Sequence, residues 1–157
     1  MVELHDIHLT FNPGTVNAKH ALCGLNLTIN EGEFVTVIGG NGAGKSTMLN
    51  TIAGTYRVDS GKILIDGKDV TRLPEYKRAV YIGRVFQDPM MGTAPNMQIE
   101  ENLALANRRG KRRGLRWGVT QTERENYRQL LTGLGLGLEK RMTAKVGLLS
   151  GGQRQAL

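Results

Sequence analysis

The chain has 157 residues, room for one domain or one and a half, and with 39% apolar but only 5% aromatic residues its core must be mostly aliphatic. A single cysteine, Cys23, excludes an internal disulfide framework and fits a reducing compartment, and no apolar run approaches the roughly 20 residues needed to span a bilayer. The net charge of +7 is local: six basic residues and no acid fall between Arg108 and Arg116, and without them the chain stands near +1, so charge does not mark the whole chain as a nucleic-acid binder.

The N-terminus, Met1 to Asp6, carries early acids and no apolar stretch, so it does not read as a signal peptide, and a cytosolic protein is expected. Val2 to Phe11, with Ile7, Leu9 and Phe11 alternating, reads as a strand, and Asn12-Pro13-Gly14-Thr15 as a turn. Leu22, Leu25, Leu27 and Ile29 form a second strand, with Cys23 expected as a small buried residue beside it. Asn30 to Glu33 then turns the chain into a short apolar run, Phe34 to Ile38, that reads as a buried strand.

That run leads into Gly39-Gly40-Asn41-Gly42-Ala43-Gly44-Lys45-Ser46-Thr47, a full match to the G-x-x-x-x-G-K-[ST] phosphate-binding loop. Gly39, Gly42 and Gly44 can adopt angles closed to other residues and let a polyphosphate approach the main chain. The loop's N–H groups form an anion nest, and the positive end of the helix that follows adds to it. Lys45 reaches the β- and γ-phosphates, and the Ser46 hydroxyl binds magnesium. The helix runs from Ser46 to Ala53, with Gly54 as its stop signal.

Asp59-Ser60-Gly61 is a turn, Lys62 to Asp66 a strand, and Gly67-Lys68 a tight connection to Asp69-Val70. Leu73 to Arg78 starts a short helix with Pro74 in its first turn, and Val80 to Phe86 reads as another strand, ending at Gln87-Asp88-Pro89. Beyond it the pattern turns helical: Ile99 to Ala106, then the basic loop, then Thr120 to Leu131, with Leu134 to Leu138 as glycine-rich helix end and loop. No strand is expected between Gln87 and Lys145. The basic loop has three open readings: a solvated surface, contact with lipid headgroups, or contact with nucleic acid, with Trp117 beside it. The expected organisation is a β-rich nucleotide-binding core over 1–87, a helical part over 88–148, and a final motif with the start of a helix over 149–157.

That motif is Leu149-Ser150-Gly151-Gly152-Gln153. Ser150 offers a hydroxyl that also suits a helix N-cap, and Gly151-Gly152 expose N–H groups, a second candidate anion site. With the phosphate loop upstream and Gln87 between them, the chain resembles the nucleotide-binding subunit of an ATP-binding cassette (ABC) transporter from its first strand to its last residue. The resemblance implies an α/β P-loop NTPase core of the ABC ATPase type with an inserted helical subdomain. The 62 positions from Gln87 to Leu149 match the size of that subdomain.

The resemblance further implies ATP and Mg2+ as cofactors and ATP hydrolysis coupled to transport. Gln87 stands where the family's glutamine loop lies and would bind magnesium or its water through its carboxamide oxygen. Ser150, Gly151, Gly152 and Gln153 would face ATP held by a second copy of the subunit. Phe11 stands where the family places an aromatic that stacks on adenine, although plain core packing of Phe11 is an equal reading. The implied partners are a second nucleotide-binding subunit, membrane permease subunits on whose inner face the protein would sit, and a solute-binding protein.

The family's Asp-Glu strand and switch histidine do not appear. Ile63-Leu64-Ile65-Asp66 is followed by Gly67 and precedes the signature, and His5, His8 and His20 all precede the phosphate loop. The expectation is therefore a piece of a longer subunit that binds ATP, turns it over little, and self-associates through uncovered edges. Two other functions stand beside this reading: a soluble ABC-type ATPase acting on nucleic acid or ribosomes, motivated by the basic loop, and a non-catalytic ATP-sensing module.

Overall fold

The structure is a computed structural model that describes residues 1–111, 114 and 118–157, and it divides into two compact units, Met1–Gly83 and Arg84–Leu157. Arg112, Arg113, Arg116 and Trp117, central to the readings of the basic loop, lie outside the described residues.

The first unit is built on a four-stranded antiparallel sheet of β1 (Val2–Phe11), β2 (Lys19–Ile29), β3 (Ser60–Ile65) and β4 (Lys68–Asp69), in the order β2-β1-β3-β4. Strand β1 pairs on both sides: Leu4 lies opposite Leu27 of β2 and opposite Ile63 of β3. Its buried residues are Leu4, Ile7 and Leu9. The three-residue step from Leu4 to Ile7 breaks the period of two, and a bulge explains it. Asp6 is left-handed at φ 48, and its N–H donates to Asn26 Oδ1 at 2.9 Å. Across β3, Gly61 sits at φ +97, where an added Cβ would lie 2.4 Å from the Asp6 carbonyl oxygen, so only glycine fits beside the bulge.

Helix α1 (Lys45–Ala53) lays Met48 into the core made by Leu4, Ile7, Leu9, Leu22, Ile63, Ile65 and Val70. The one-turn helix α2 (Glu75–Arg78) follows with Pro74 as its N-cap.

Three expectations are corrected, one of which, for Val80–Phe86, runs past Gly83 into the second unit. Phe34–Ile38 and Val80–Phe86 are not strands: neither run pairs with the sheet, and Phe34, Ile38 and Val85 are 95%, 90% and 80% exposed. Apolar, β-branched composition suits a pleated surface but supplies no hydrogen-bonding neighbour, and the neighbour makes the strand. Cys23 is exposed rather than buried, because the alternation of edge strand β2 turns Leu22 inward and Cys23 outward.

The second unit is helical, with α3 (Ile99–Asn107), α4 (Gln121–Thr132) and α5 (Gly151–Gln155). Two 3₁₀ turns, Leu138–Lys140 and Val146–Leu148, lie between α4 and α5. Its core gathers Ile99, Ala104, Tyr127, Leu131, Leu138, Met142, Val146 and Leu149. Among the described residues it holds no strand, only an isolated bridge between Gln98 and Lys145. That bridge belongs to a clasp at the start of α3: Ile99 N–H donates to Ala144 O and Glu100 N–H to Met142 O, satisfying amides that a helix leaves unpaired. Glu100 is buried and takes two parallel 2.7 Å hydrogen bonds from the Arg124 guanidinium, which fastens α3 to α4.

Helix α4 begins with a reciprocal cap: Thr120 Oγ1 accepts from Glu123 N–H, and the Glu123 carboxylate accepts from Thr120 N–H at 2.8 Å. Glu123 also pairs with Arg108 at 3.1 Å, so that member of the basic cluster is tied into the fold. The hydrogen bond from the Thr120 backbone, with Arg108 beside it, holds the Glu123 carboxyl below the usual glutamate range. A lowered folded-state pKa contributes stability that is present above the unfolded-state value and lost as pH falls through the folded one. Thr120→Ala is expected to cost about 1 kcal/mol in urea unfolding followed by helical circular dichroism. The gap between wild type and Glu123→Gln should close on acidification through the carboxylate range; a gap independent of pH would contradict the assignment.

Candidate functional site

Residues Gly39 to Thr47 form a loop and the first turn of α1. Gly44 is the helix N-cap, in the left-handed region at φ 86 and with no side-chain cap, so the first amides of α1 are left to the loop. An added Cβ on Gly44 would meet the Ala21 carbonyl oxygen at 3.2 Å, which seats the helix start directly on β2. Gly42 is also left-handed, at φ +83, and an added Cβ on Gly40 or Gly42 would meet nothing within 4 Å. One side of the loop is packed and the other is open.

The Lys45 ammonium folds back over this loop and donates to the Gly39 carbonyl at 2.5 Å and the Gly40 carbonyl at 2.8 Å. A cation thus stands over the loop's backbone at the positive end of a helix, the arrangement that binds a polyphosphate. Asn41 and Ala43 complete the loop, closed by a hydrogen bond from Ala43 N–H to Gly40 O at 3.3 Å. Ser46 is exposed on the first turn of α1, and Thr47 is half-buried beside it.

The donor set fits magnesium in one particular way. Among the described residues no three His, Cys, Asp or Glu side chains gather to cage a metal. An exposed serine hydroxyl beside a phosphate site suits a cation that keeps most of its waters and takes the rest of its ligands from phosphate oxygens.

Phe11 ends β1 half-buried, with its ring edge-on to Tyr56 at 5.2 Å and 85°. The ring therefore already has an aromatic neighbour on the fringe of the core.

In the second unit, Gln87 is exposed in a bend just ahead of Pro89. The next residue shapes that bend: Asp88 accepts from Met90 N–H through its side chain and from Met91 N–H through its carbonyl. The signature stretch divides its labour residue by residue. Leu149 is buried in the helical core and anchors the segment. Ser150 caps α5, its hydroxyl accepting from Gln153 N–H while the Gln153 carboxamide oxygen accepts from Ser150 N–H at 3.2 Å. Gly151 and Gly152 are exposed, and an added Cβ on either meets nothing within 4 Å.

The segments carrying Gln87 and Ser150 are linked within this unit. Gln155 Nε2 donates to the Phe86 carbonyl at 3.4 Å, and the buried Arg154 contacts Met90 and donates to the Gly147 carbonyl.

Sequence reading passed over the most heavily bonded side chain near the phosphate loop. Arg78 is 2% exposed and donates to four main-chain carbonyls: Thr51 at 2.8 Å, and Ile52, Leu73 and Thr71 at 2.9 Å. Burial lowers its pKa from the ordinary arginine value, with the charge of Asp69 opposing. Only its position beside Lys77 in a one-turn helix is visible in the sequence, and the two look alike there.

A family model described as ABC transporter matches residues 22–157. The chain is 47% identical over 133 residues to a tyrosine transport ATP-binding protein of Clostridioides difficile (strain R20291), a match covering 85% of this chain and 53% of that protein. It is 37% identical over 157 residues to the spermidine/putrescine import ATP-binding protein PotA of Haemophilus influenzae (strain ATCC 51907 / DSM 11121 / KW20 / Rd), covering 100% of this chain and 38% of that one. Among solved structures it is similar to the dimeric post-hydrolysis state of the ATP-binding cassette MJ0796 bound to ADP and Pi, with a TM-score of 0.78 and 33% identity over 99% of this chain and 66% of that one. The chain spans about half, or less, of the length of these two curated relatives.

The two sides of the loop predict opposite tolerance. Gly44→Ala should lower stability by about 1–2 kcal/mol, from the left-handed backbone and the Ala21 carbonyl together. Gly40→Ala should leave the melting temperature close to wild type. Equal melting shifts for the two variants would contradict the loop geometry.

Proposed function

The chain belongs to the ABC transporter family, with the fold of its ATP-binding cassettes, and from that premise we propose that it is the nucleotide-binding portion of an ATP-driven import subunit. One observation carries this reading: Lys45 over the carbonyls of Gly39 and Gly40, at the uncapped start of α1, beside an open glycine face.

Gly39 to Thr47 would hold the phosphates of ATP, Lys45 would neutralise the β- and γ-phosphates, and the Ser46 hydroxyl would hold Mg2+; the carboxamide oxygen of Gln87 is of a kind that can bind Mg2+ or its water. Phe11 serves the adenine. Ser150, Gly151, Gly152 and Gln153 receive the γ-phosphate held by a second copy. Two features support that last role: Ser150 and Gln153 satisfy each other's amides, and the open Gly151-Gly152 backbone lets a phosphate approach.

Closing and opening of the nucleotide-bound dimer would drive permease subunits, at the inner face of a membrane. Among the described residues no helix is long and apolar enough to cross one. The relatives' printed names, tyrosine transport and spermidine/putrescine import, support a small nitrogenous solute, with the tyrosine-transport relative the nearer of the two in identity.

The test is Mg-ATP binding and hydrolysis beside Lys45→Ala. Wild type should bind Mg-ATP, and Lys45→Ala should weaken binding by tenfold or more, about 1.4 kcal/mol. Residues 1–157 alone should show no turnover above background. Binding indifferent to Lys45 would remove the phosphate-loop assignment, and Lys45-dependent turnover by residues 1–157 would mean that water is activated from within them.

A further inference from the structure

Helix α1 is nine residues long, roughly 14 Å, and stiff over that length. Its N-terminal end carries the phosphate loop. Its C-terminal end closes on Gly54, left-handed at φ 88, whose N–H reaches back to Asn50 O and Thr51 O. Arg78 binds two carbonyls of this last turn, Thr51 O, which it shares with the Gly54 N–H, and Ile52 O. The same guanidinium holds Thr71 O and Leu73 O, on the segment that leads from β4 into α2.

Burying a charge costs free energy unless its hydrogen bonds are filled, and here four carbonyl partners offset that cost. The planar fork of arginine can reach carbonyls on two chain segments at once, and a lysine ammonium cannot match that geometry. The cation also sits at the negative end of the α1 dipole, opposite the end that faces phosphate. Gly54 is matched to it, since a Cβ there would lie 2.8 Å from Arg78 Nε and 2.9 Å from Cδ.

Helix α1 is thus seated at three points: Gly44 against Ala21 O, Met48 in the core, and its last turn on Arg78. We propose that Arg78 is a positioning residue for nucleotide binding, anchoring α1 from its far end so that the phosphate loop stands at a fixed depth against the sheet. This rests on the reading of Gly39 to Thr47 as the ATP site. Gly54 belongs to the same device, as the space that the guanidinium occupies.

The experiment measures Mg-ATP affinity and amide exchange of Gly42 to Ser46 for wild type, Arg78→Lys, Arg78→Met, Gly54→Ala and Gly54→Ala/Arg78→Met. All are assayed in the full chain, well below each melting temperature and per folded molecule. Ile65→Val, in the sheet, serves as a control for lost stability alone. Arg78→Met and Gly54→Ala should each weaken Mg-ATP binding about tenfold and speed loop amide exchange, with Arg78→Lys recovering only part of it. The double variant should bind no worse than Arg78→Met, because both changes remove one contact. Ile65→Val should bind as wild type does.

Folded Arg78→Met that binds like wild type, with loop exchange unchanged, overturns the inference and leaves the ATP site standing. So does strict additivity of Gly54→Ala and Arg78→Met. Failure of wild type to bind Mg-ATP overturns the site reading and this inference with it.

Discussion

A helix leaves amides unpaired at one end and carbonyls at the other, and the first unit uses both ends of α1. At Gly44 no side chain caps the first amides, and the nearby Gly40 and Gly42 leave open space beside them. At Ile52 and Thr51 the carbonyls are buried and bound by Arg78. That open end is tolerable because the rest of the helix is held: Met48 in the aliphatic core, Gly44 pressed on β2, Arg78 beneath the last turn. The bulge at Asp6 and the glycine at Gly61 matter for the same reason, since they keep Leu4, Ile7 and Leu9 all facing the core that receives Met48.

The second unit solves a related problem at α5. A short helix that exposes two glycines has little intrinsic stability. Leu149 supplies the anchor, buried with Ile99, Val146 and Met142, while Ser150 and Gln153 pair off the first amides. The clasp between residues 142–147 and the start of α3 sets that anchor in place, and Gly147 packs closely there, where an added Cβ would come 3.0 Å from the Pro95 carbonyl oxygen. The exposed backbone at Gly151 and Gly152 is thus held in place by residues buried elsewhere in the unit.

What could be read directly from the residues follows local rules. Gly39 to Thr47 is recognisable as a motif because its glycines, the helix start and Lys45 stand at short, fixed spacing. Ser150 announces a helix start in the same way, and Gly54 announces a stop. Most element positions, from β1 through α4, agree with periodicity and turn chemistry for this reason. Where the reading failed, a partner was at issue. Phe34–Ile38 and Val80–Phe86 have the composition of strands but no paired neighbour, and Cys23 has the composition of a core residue but lies on the outer side of an edge strand.

By itself, then, the sequence determined the G-x-x-x-x-G-K-[ST] motif, the helix start at Ser150, the signature stretch and the family they point to, because each depends on residues within a few positions of one another. Only the tertiary structure decided that Arg78 rather than Lys77 is buried beneath α1, that Glu100 faces Arg124, and that Gly61 must accommodate the bulge at Asp6. Those outcomes depend on which distant carbonyl or side chain the fold brings within about 3 Å, and no local spacing encodes that distance.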